Sequence, residues 1–452
     1  MYPVLRKRQR EVSTVQLSEL LRLPDELILT VLRHLDIPGL LELSRTCYAL
    51  HEGPAPGVVG ALRGNAVPLC SLPLPYNLDL WTVFNRRKAG WAPVAVYNGN
   101  GSALFVMNSR MFTLSPPGGE SAVRTFAPFP SMENTPIRSV SAGYGCFAAI
   151  APGGAVYTWG LEATTGCLGH GDRIPLEAPA RVMRLKKYCV ITVSIGNGHC
   201  LAVADSGCVF AWGSNVFGQC GVGEFATLSG AADDELWPRR LDTFALLGRR
   251  VRGAWAGGFH SLVVTECGAL YAFGSCSDGK LGLGDDVGDT FYPELVSGIG
   301  KIRSAAAGDS HSLALREDGI VLSWGENYKY QLGAGGDRVS VRDVRYVPGP
   351  VVVIKDVSTV KAAMDTSCAV TVTGELFLWG ECLRSDGVLR RIQVPTSCGS
   401  FGGEVVASVS TGRRQSLVVT GDGVVFGWDA NGPGIRRYPG ISCTDDLLRG
   451  LA

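Results

Sequence analysis

Three of the six histidines recur at one position of a repeated segment, a pattern that raises the question of a metal or proton-transfer site. The position is occupied, copy by copy, by Cys146, His199, His260, His311, Ser367 and Gln415. No carboxylate recurs with the histidines, and successive copies of a ring would hold them in different units. Because buried polar groups need partners, we expect hydrogen bonds that link neighbouring units. No nucleophile elbow or phosphate loop is present, so we predict no catalytic residue, no metal, no cofactor and no enzyme activity.

The elements that position these histidines repeat at about 50 residues. An aromatic residue ends a strand-like run in each copy, at Trp159, Trp212, Phe273, Trp324, Trp379 and Trp428, with intervals of 53, 61, 51, 55 and 49 residues. Glycine follows in all copies but the last. A period of this length with several strands per unit predicts a propeller or solenoid. The tryptophans are expected to stack between adjacent units.

Turns and a weak additional copy complete the expected ring. Asp318-Gly319 separates two apolar runs, which is a strong hairpin signal. Residues 101–114 have two such runs but have lost the Trp-Gly pair. Seven copies would close a ring and remove exposed sheet edges. We therefore predict a mostly β chain, a seven-bladed β-propeller preceded by a small α-helical module.

The repeats resemble the regulator of chromosome condensation repeat family, whose domains are seven-bladed propellers. Gly257-Gly-Phe-His-Ser-Leu262 and Trp324-Gly-Glu-Asn-Tyr-Lys-Tyr-Gln-Leu-Gly333 match the two elements of that repeat. The resemblance covers residues 137–430 well and residues 91–136 poorly.

The segment from Leu23 to Cys47 begins Leu-Pro-Asp-Glu and carries a broad apolar stripe expected of a helix face. It resembles an F-box, the helical module that docks a Skp-type adaptor of cullin ubiquitin ligases, although Thr46 stands where the family prefers Val. The resemblance implies an adaptor-binding set of Leu23, Pro24, Ile28, Val31, Leu32, Leu35, Leu40 and Leu43. The alternative is that the stripe caps the propeller.

The expected domains are a polar tail at 1–19, the F-box at 20–53, a Pro-rich connector at 54–90, the propeller at 91–442 and a tail at 443–452. One repeat interval is about ten residues longer than the others. It carries a possible target-binding loop with Asp233, Asp234, Glu235 and Trp237. A tolerated surface insertion is the alternative.

Composition narrows the function classes. The net charge of +1 does not favour nucleic acid or an anionic membrane. No apolar run is long enough to cross a bilayer, and no secretory signal is seen. We therefore expect an intracellular protein, cytoplasmic or nuclear, whose 14 cysteines are thiols.

Together the two resemblances imply a substrate-recognition subunit of a Skp/cullin/F-box ubiquitin ligase. Its expected partners are a Skp-type adaptor, a cullin held through that adaptor, and a target protein bound by the propeller. Two alternatives stay open, namely a guanine-nucleotide exchange factor for a small GTPase and an interaction scaffold without a ligase role.

Overall fold

The computed structural model describes residues 94–96, 103–107, 110–114, 126–223, 234–335, 344–383, 389–399, 401, 405–411, 415–421, 424–429 and 432–437. All of them belong to the second of the chain's two units, residues 78–452. The F-box-like segment, the connector and both tails lie outside the described residues.

The described chain contains seven four-stranded antiparallel sheets, each built from four consecutive strands. Sheet 1 consists of β1 (Val94–Val96), β2 (Ala103–Met107), β3 (Arg110–Leu114) and β4 (Phe126–Pro128). Sheet 2 consists of β5 (Ser139–Ala142), β6 (Cys146–Ile150), β7 (Val156–Gly160) and β8 (Leu176–Arg181). Sheet 3 consists of β9 (Val190–Ile195), β10 (His199–Ala204), β11 (Val209–Gly213) and β12 (Glu235–Arg240). Sheet 4 consists of β13 (Val251–Ala256), β14 (His260–Thr265), β15 (Leu270–Gly274) and β16 (Thr290–Leu295).

The remaining sheets follow the same plan. Sheet 5 consists of β17 (Ile302–Ala307), β18 (His311–Arg316), β19 (Val321–Glu326) and β20 (Val344–Pro350). Sheet 6 consists of β21 (Val357–Ala363), β22 (Thr366–Thr371), β23 (Leu376–Leu383) and β24 (Leu389–Ser397). Sheet 7 consists of β25 (Val406–Thr411), β26 (Gln415–Thr420), β27 (Val425–Asp429) and β28 (Gly432–Arg437). The short helix α1 (Asp242–Leu246) joins sheets 3 and 4 and buries Phe244 in the core between them.

The inner strands of each sheet are covered on both sides. All six residues of β10 and of β14 are buried, and so are all five of β11 and β15. Residues that alternate along these strands point to opposite faces of the sheet, yet all of them are buried. Both faces are covered because each sheet packs against a neighbouring sheet on either side. Exposed residues concentrate in the fourth, outer strands, such as β8 and β20.

Sheet 1 lies between sheets 2 and 7 and closes the ring. Its first strand, β1, lies beside β5 on one side and beside β25 and β26 on the other. One apolar cluster joins Leu104 and Met111 of sheet 1 to Trp159 of sheet 2 and Leu417 of sheet 7. Each sheet is one continuous segment, so side-chain packing rather than strand exchange closes the circle.

The predicted mostly β propeller is confirmed. Six blades, sheets 2 to 7, carry the aromatic residue of the repeat at the six positions read from the sequence. The additional sheet 1 has strands of three to five residues and ends its third strand on Leu114. The repeat is weak there because no tryptophan marks it.

Strand order assigns the loops to two faces. Successive antiparallel strands reverse direction, so the loops between first and second strands and between third and fourth strands share one face, called face A. The hairpins between second and third strands and the connections between sheets share the opposite face B. The recurring histidines begin second strands and therefore lie at face A.

Candidate protein-interaction face

Large aromatic side chains fix each blade against the one before it. Trp212, Trp324 and Trp379 are fully buried. The Trp324 indole Nε1 donates to the carbonyl of Lys280 in the preceding blade at 2.8 Å, and its ring lies against Gly282. A methyl group on Gly282, whose φ is +72°, would lie 2.7 Å from that Nε1, so the close approach needs glycine.

The same donor geometry recurs at two other junctions. Trp212 Nε1 donates to Cys167 O at 2.8 Å, and Trp379 Nε1 donates to Gln331 O at 2.9 Å. Phe273 fills the equivalent place without a donor. Trp159 is also buried and stacks on Phe147 of its own sheet.

The three recurring histidines are fully buried and bond to the next blade. Each Nε2 lies within hydrogen-bond distance of a serine hydroxyl there, in the pairs His199–Ser261 at 2.9 Å, His260–Ser312 at 2.8 Å and His311–Ser367 at 2.7 Å. Each serine in turn donates to a carbonyl of the histidine's own blade, namely Gln219, Lys280 or Gln331. We call these residues the junction histidines and junction serines.

The serine hydroxyl settles the protonation of each ring. Since the hydroxyl proton points to the carbonyl, the histidine Nε2 must donate, and the neutral ring carries its proton there. Burial lowers the pKa of His199 to about 3 and that of His311 to about 4. Burial, followed by the charge of Lys280, also lowers the pKa of His260 well below its usual value. The histidines are thus neutral blade-linking groups.

One sequence assignment is corrected by the strand register. Thr366, not Ser367, stands opposite Gly380 as His311 stands opposite Gly325, so Thr366 occupies the histidine position. The turn before it is Ala363-Met364-Asp365, without the glycine that marks the other copies, and Met364 takes φ 50°. Ser367 instead accepts from His311.

Cysteines replace the junction residues between sheets 2 and 3, where Cys200 takes the serine position and its sulfur lies 3.2 Å from Cys167 O. Cys146 takes the histidine position, and its sulfur contacts that of Cys167 as a disulfide pair. The expectation that all cysteines are thiols does not account for this contact. Their Cα atoms are 7.2 Å apart, longer than in ordinary disulfides. Both sulfurs also lie 3.3 Å from Glu162 O.

The possible target-binding loop packs largely on the preceding blade. Asp234 pairs with Arg173 at 3.0 Å, and Glu235 pairs with Arg239 at 3.0 Å. The Trp237 ring, 39% exposed, lies under the Arg184 guanidinium at 4.6 Å and against Gly171. Asp233 lies outside the described residues. A role in target binding stays a prediction.

Above the junction histidines, face A carries a pair of side chains that changes from blade to blade. One member lies five residues after the repeat aromatic, and the other immediately precedes the histidine position. Between sheets 3 and 4 the pair is Phe217 and Phe259, with ring centroids 5.5 Å apart. Between sheets 5 and 6 it is Lys329 and Asp365, with Nζ and Oδ2 3.1 Å apart. The junction histidines and serines beneath these pairs repeat from blade to blade, whereas the exposed pairs differ in chemical type. Such variation on a repeated frame is expected of a binding surface.

Carboxylates gather on face A around sheets 4 to 6. Asp278, Asp289, Asp309 and Glu326 all act on the charge of Lys280, a residue only 2% exposed. Burial lowers the pKa of Lys280, and these carboxylates oppose that shift. Burial raises the pKa of Glu326, and repulsion from Asp365 and Asp278 adds to it. Asp365 and Asp278 therefore lie close enough to destabilise the charge of Glu326.

Face B differs from face A, because arginine side chains there make contacts between blades. The Arg250 guanidinium donates to Asp205 O in the preceding blade at 2.8 Å, and Arg252 lies 3.8 Å from Glu317 in the next blade. The Arg303 guanidinium donates to the carbonyls of Val357 and Ser358 in the next blade. These contacts support a linking role for this face.

The predicted adaptor-binding residues, from Leu23 to Leu43, lie outside the described residues. Within the described ranges no cluster of three or more His, Cys, Asp or Glu side chains could hold a metal ion. No helix in that part of the chain is long and apolar enough to cross a membrane. The sequence analysis did not predict the variable pair on face A. Aligning the repeats and looking for positions whose residue type changes from copy to copy would have indicated it.

Family models match two regions of the chain. The RCC1-like domain model matches residues 114–385, and the F-box domain model matches residues 20–52. The ultraviolet-B receptor UVR8 of Arabidopsis thaliana is 30% identical over 301 residues, which cover 65% of this chain and 64% of the receptor. The human E3 ubiquitin-protein ligase HERC2 is 30% identical over 310 residues, 66% of this chain and 6% of the ligase. The chain therefore spans less than two thirds of either relative.

Solved structures share the fold. Yeast RCC1 (Prp20), in its complex with Kap60, superposes with a TM-score of 0.60 at 21% identity, covering 79% of this chain and 82% of the other. Human WBSCR16 gives a TM-score of 0.58 at 22% identity, with coverages of 71% and 83%. At such identities the likeness concerns architecture alone. Because the RCC1-like model spans more than half of the 452 residues, the chain belongs to the RCC1-like domain family and carries an F-box domain before its propeller.

Proposed function

We propose that this chain is the substrate-recognition subunit of a Skp/cullin/F-box ubiquitin ligase. The F-box domain at residues 20–52 docks a Skp-type adaptor, and the propeller holds a target protein. The chain itself performs no covalent chemistry, since ubiquitin transfer belongs to its partners.

The combination of the two domains is the observation that carries the proposal. An F-box supplies a connection to the ligase, and a rigid ring of sheets supplies surface for a protein. The junction histidines and the tryptophans are committed to holding blades together, so they are not available for catalysis. Among the relatives, HERC2 and the probable ligase HERC6 are named E3 ubiquitin-protein ligases.

The experiment is direct binding of a purified Skp-type adaptor to the purified full chain, measured by calorimetry. We expect wild type to bind, and Leu23→Ala with Pro24→Ala to lose most of that affinity, because these residues begin the F-box motif. Leu295→Ala is the matched control, since Leu295 is 50% exposed on the outer strand of sheet 4.

Two results would contradict the proposal. One is an adaptor that does not bind wild type, and the other is equal binding by the double variant. Acceleration of nucleotide release from a small GTPase by a chain that binds no adaptor would favour an exchange factor instead.

A further inference from the structure

The loops of face A form a continuous, preorganised rim. Backbone amides pass from blade to blade, with Asn197 N donating to Gly257 O at 3.1 Å, Gly258 N to Gly308 O at 2.9 Å and Asp309 N to Met364 O at 3.0 Å. A surface held by such bonds loses little conformational freedom when a partner binds.

Apolar side chains stand on part of this rim. Val216 is 54% exposed, Phe259 is 38% exposed and Tyr328 is 40% exposed, and Phe217 packs edge-on against Phe259. They belong to loops of sheets 3, 4 and 5, and the loop that carries Phe259 lies against the backbone of Asp309 at Gly258.

The charge beside these side chains is unbalanced. In the part of the chain that the structure describes, Asp278, Asp289, Asp309 and Glu326 act on the charge of Lys280, and Asp365 pairs with Lys329. Lys329 is committed to Asp365 and also to Glu381, at 2.8 Å. A cationic partner would offset the repulsion that Asp365 and Asp278 exert on Glu326.

Resting on the proposed function, we infer that face A at sheets 3 to 5 binds a linear segment of the target protein that joins lysine or arginine side chains to an apolar anchor. The anchor packs on Phe217, Phe259 and Tyr328, and the cations face Asp278 and Glu326. Long basic side chains suit this arrangement because their stems cover apolar surface while their charged ends reach carboxylates. Nucleic acid does not suit it, because phosphates would meet the carboxylates.

The test uses the purified full chain and a library of synthetic dodecapeptides, with binding measured by fluorescence anisotropy. We expect selection of Lys or Arg near an aromatic or Leu residue. Asp278→Asn with Glu326→Gln should weaken the selected peptides about tenfold and flatten their salt dependence. Both changes keep side-chain size, and Asn tolerates the positive φ of Asp278, 57°.

The matched control is Glu266→Gln with Glu317→Gln, which removes two carboxylates from face B. Its peptide affinities should stay within about twofold of wild type. Equal weakening by both double variants would overturn the inference, and so would a library that selects no basic residue.

Two further readouts separate the possibilities. Basic selection that emerges only after residues 1–19 are deleted would identify the chain's own tail, which contains Arg6-Lys7-Arg8, as the occupant and would overturn the inference. Adaptor affinity, measured on the same preparations, tests the proposed function separately. Loss of adaptor binding with intact peptide selection would refute the ligase role alone.

Discussion

Replacement of Ser312 by alanine tests the blade-linking network quantitatively. Ser312 is fully buried; it accepts from His260 Nε2 and donates to Lys280 O. Lys280 O keeps the Trp324 indole as a donor, whereas the buried His260 Nε2–H loses its acceptor. An orphaned buried donor costs about 1–3 kcal/mol, and the lost bond adds about 1 kcal/mol. We expect Ser312→Ala to lower the free energy of unfolding by about 2–4 kcal/mol.

Ser261→Ala should cost more than Ser312→Ala. Phe273 stands where the tryptophan would be, so Ser261 is the side-chain donor to Gln219 O in the described residues. Removing it orphans both His199 and that carbonyl, which adds about 1 kcal/mol.

The assay is thermal unfolding followed by tryptophan fluorescence. With an unfolding entropy of about 2.1 cal/mol/K per residue over about 300 ordered residues, Ser312→Ala should lower Tm by about 3–6 °C. Ser206→Ala, in an exposed hairpin on face B, is the control and should change Tm by less than about 1 °C. Equal Tm values for the three variants, or a smaller loss for Ser261→Ala than for Ser312→Ala, would refute the reasoning.

Three other predictions concern the same frame and face A. The pKa values of the junction histidines are lowered on folding, to about 3 for His199 and about 4 for His311. Above the unfolded pKa of about 6.5 the histidines are neutral in both states, and their full contribution to stability is present. Below it only the unfolded chain takes up protons, so the free energy of unfolding should fall as pH drops toward 4. The fall is at most about 1.4 kcal/mol per pH unit and histidine. Equal urea midpoints at pH 7 and pH 5 would contradict this. Gly308→Ala should destabilise by at least about 1–3 kcal/mol, because a methyl group would collide with His311, whereas Gly288→Ala has open space and should be neutral in the same urea titration. Lys329→Ala removes partly exposed ion pairs and should cost only about 1 kcal/mol, with a smaller loss at 1 M salt.

Much of the propeller fold could be predicted from the sequence because of its repeat. Large aromatic residues and Asp-Gly turns at regular spacing indicate strands and hairpins whatever the rest of the repeat contains. The weak copies were harder. Sheet 1 lacks the tryptophan, and the turn at Met364 lacks the glycine that fixes the register, which displaced the assignment of Ser367 by one residue.

The candidate site was less accessible to sequence reasoning than the frame. The junction histidines were recognised as links because they recur, but their serine partners lie 52 to 62 residues away and only the ring brings them together. The two members of each variable pair on face A, such as Phe217 and Phe259, also belong to different blades, so only the folded ring brings them together. The acidic loop residues drew attention by their charge, yet Asp234 and Glu235 are paired with arginines.

The most direct test of the ligase role is reconstitution from purified components. The full chain, a Skp-type adaptor and a cullin are mixed, and the assembly is analysed by size-exclusion chromatography with light scattering. We predict one complex whose mass corresponds to one copy of each protein, and its loss when Leu23 and Pro24 are replaced by alanine. A wild-type chain that elutes apart from the adaptor and cullin would contradict the proposal.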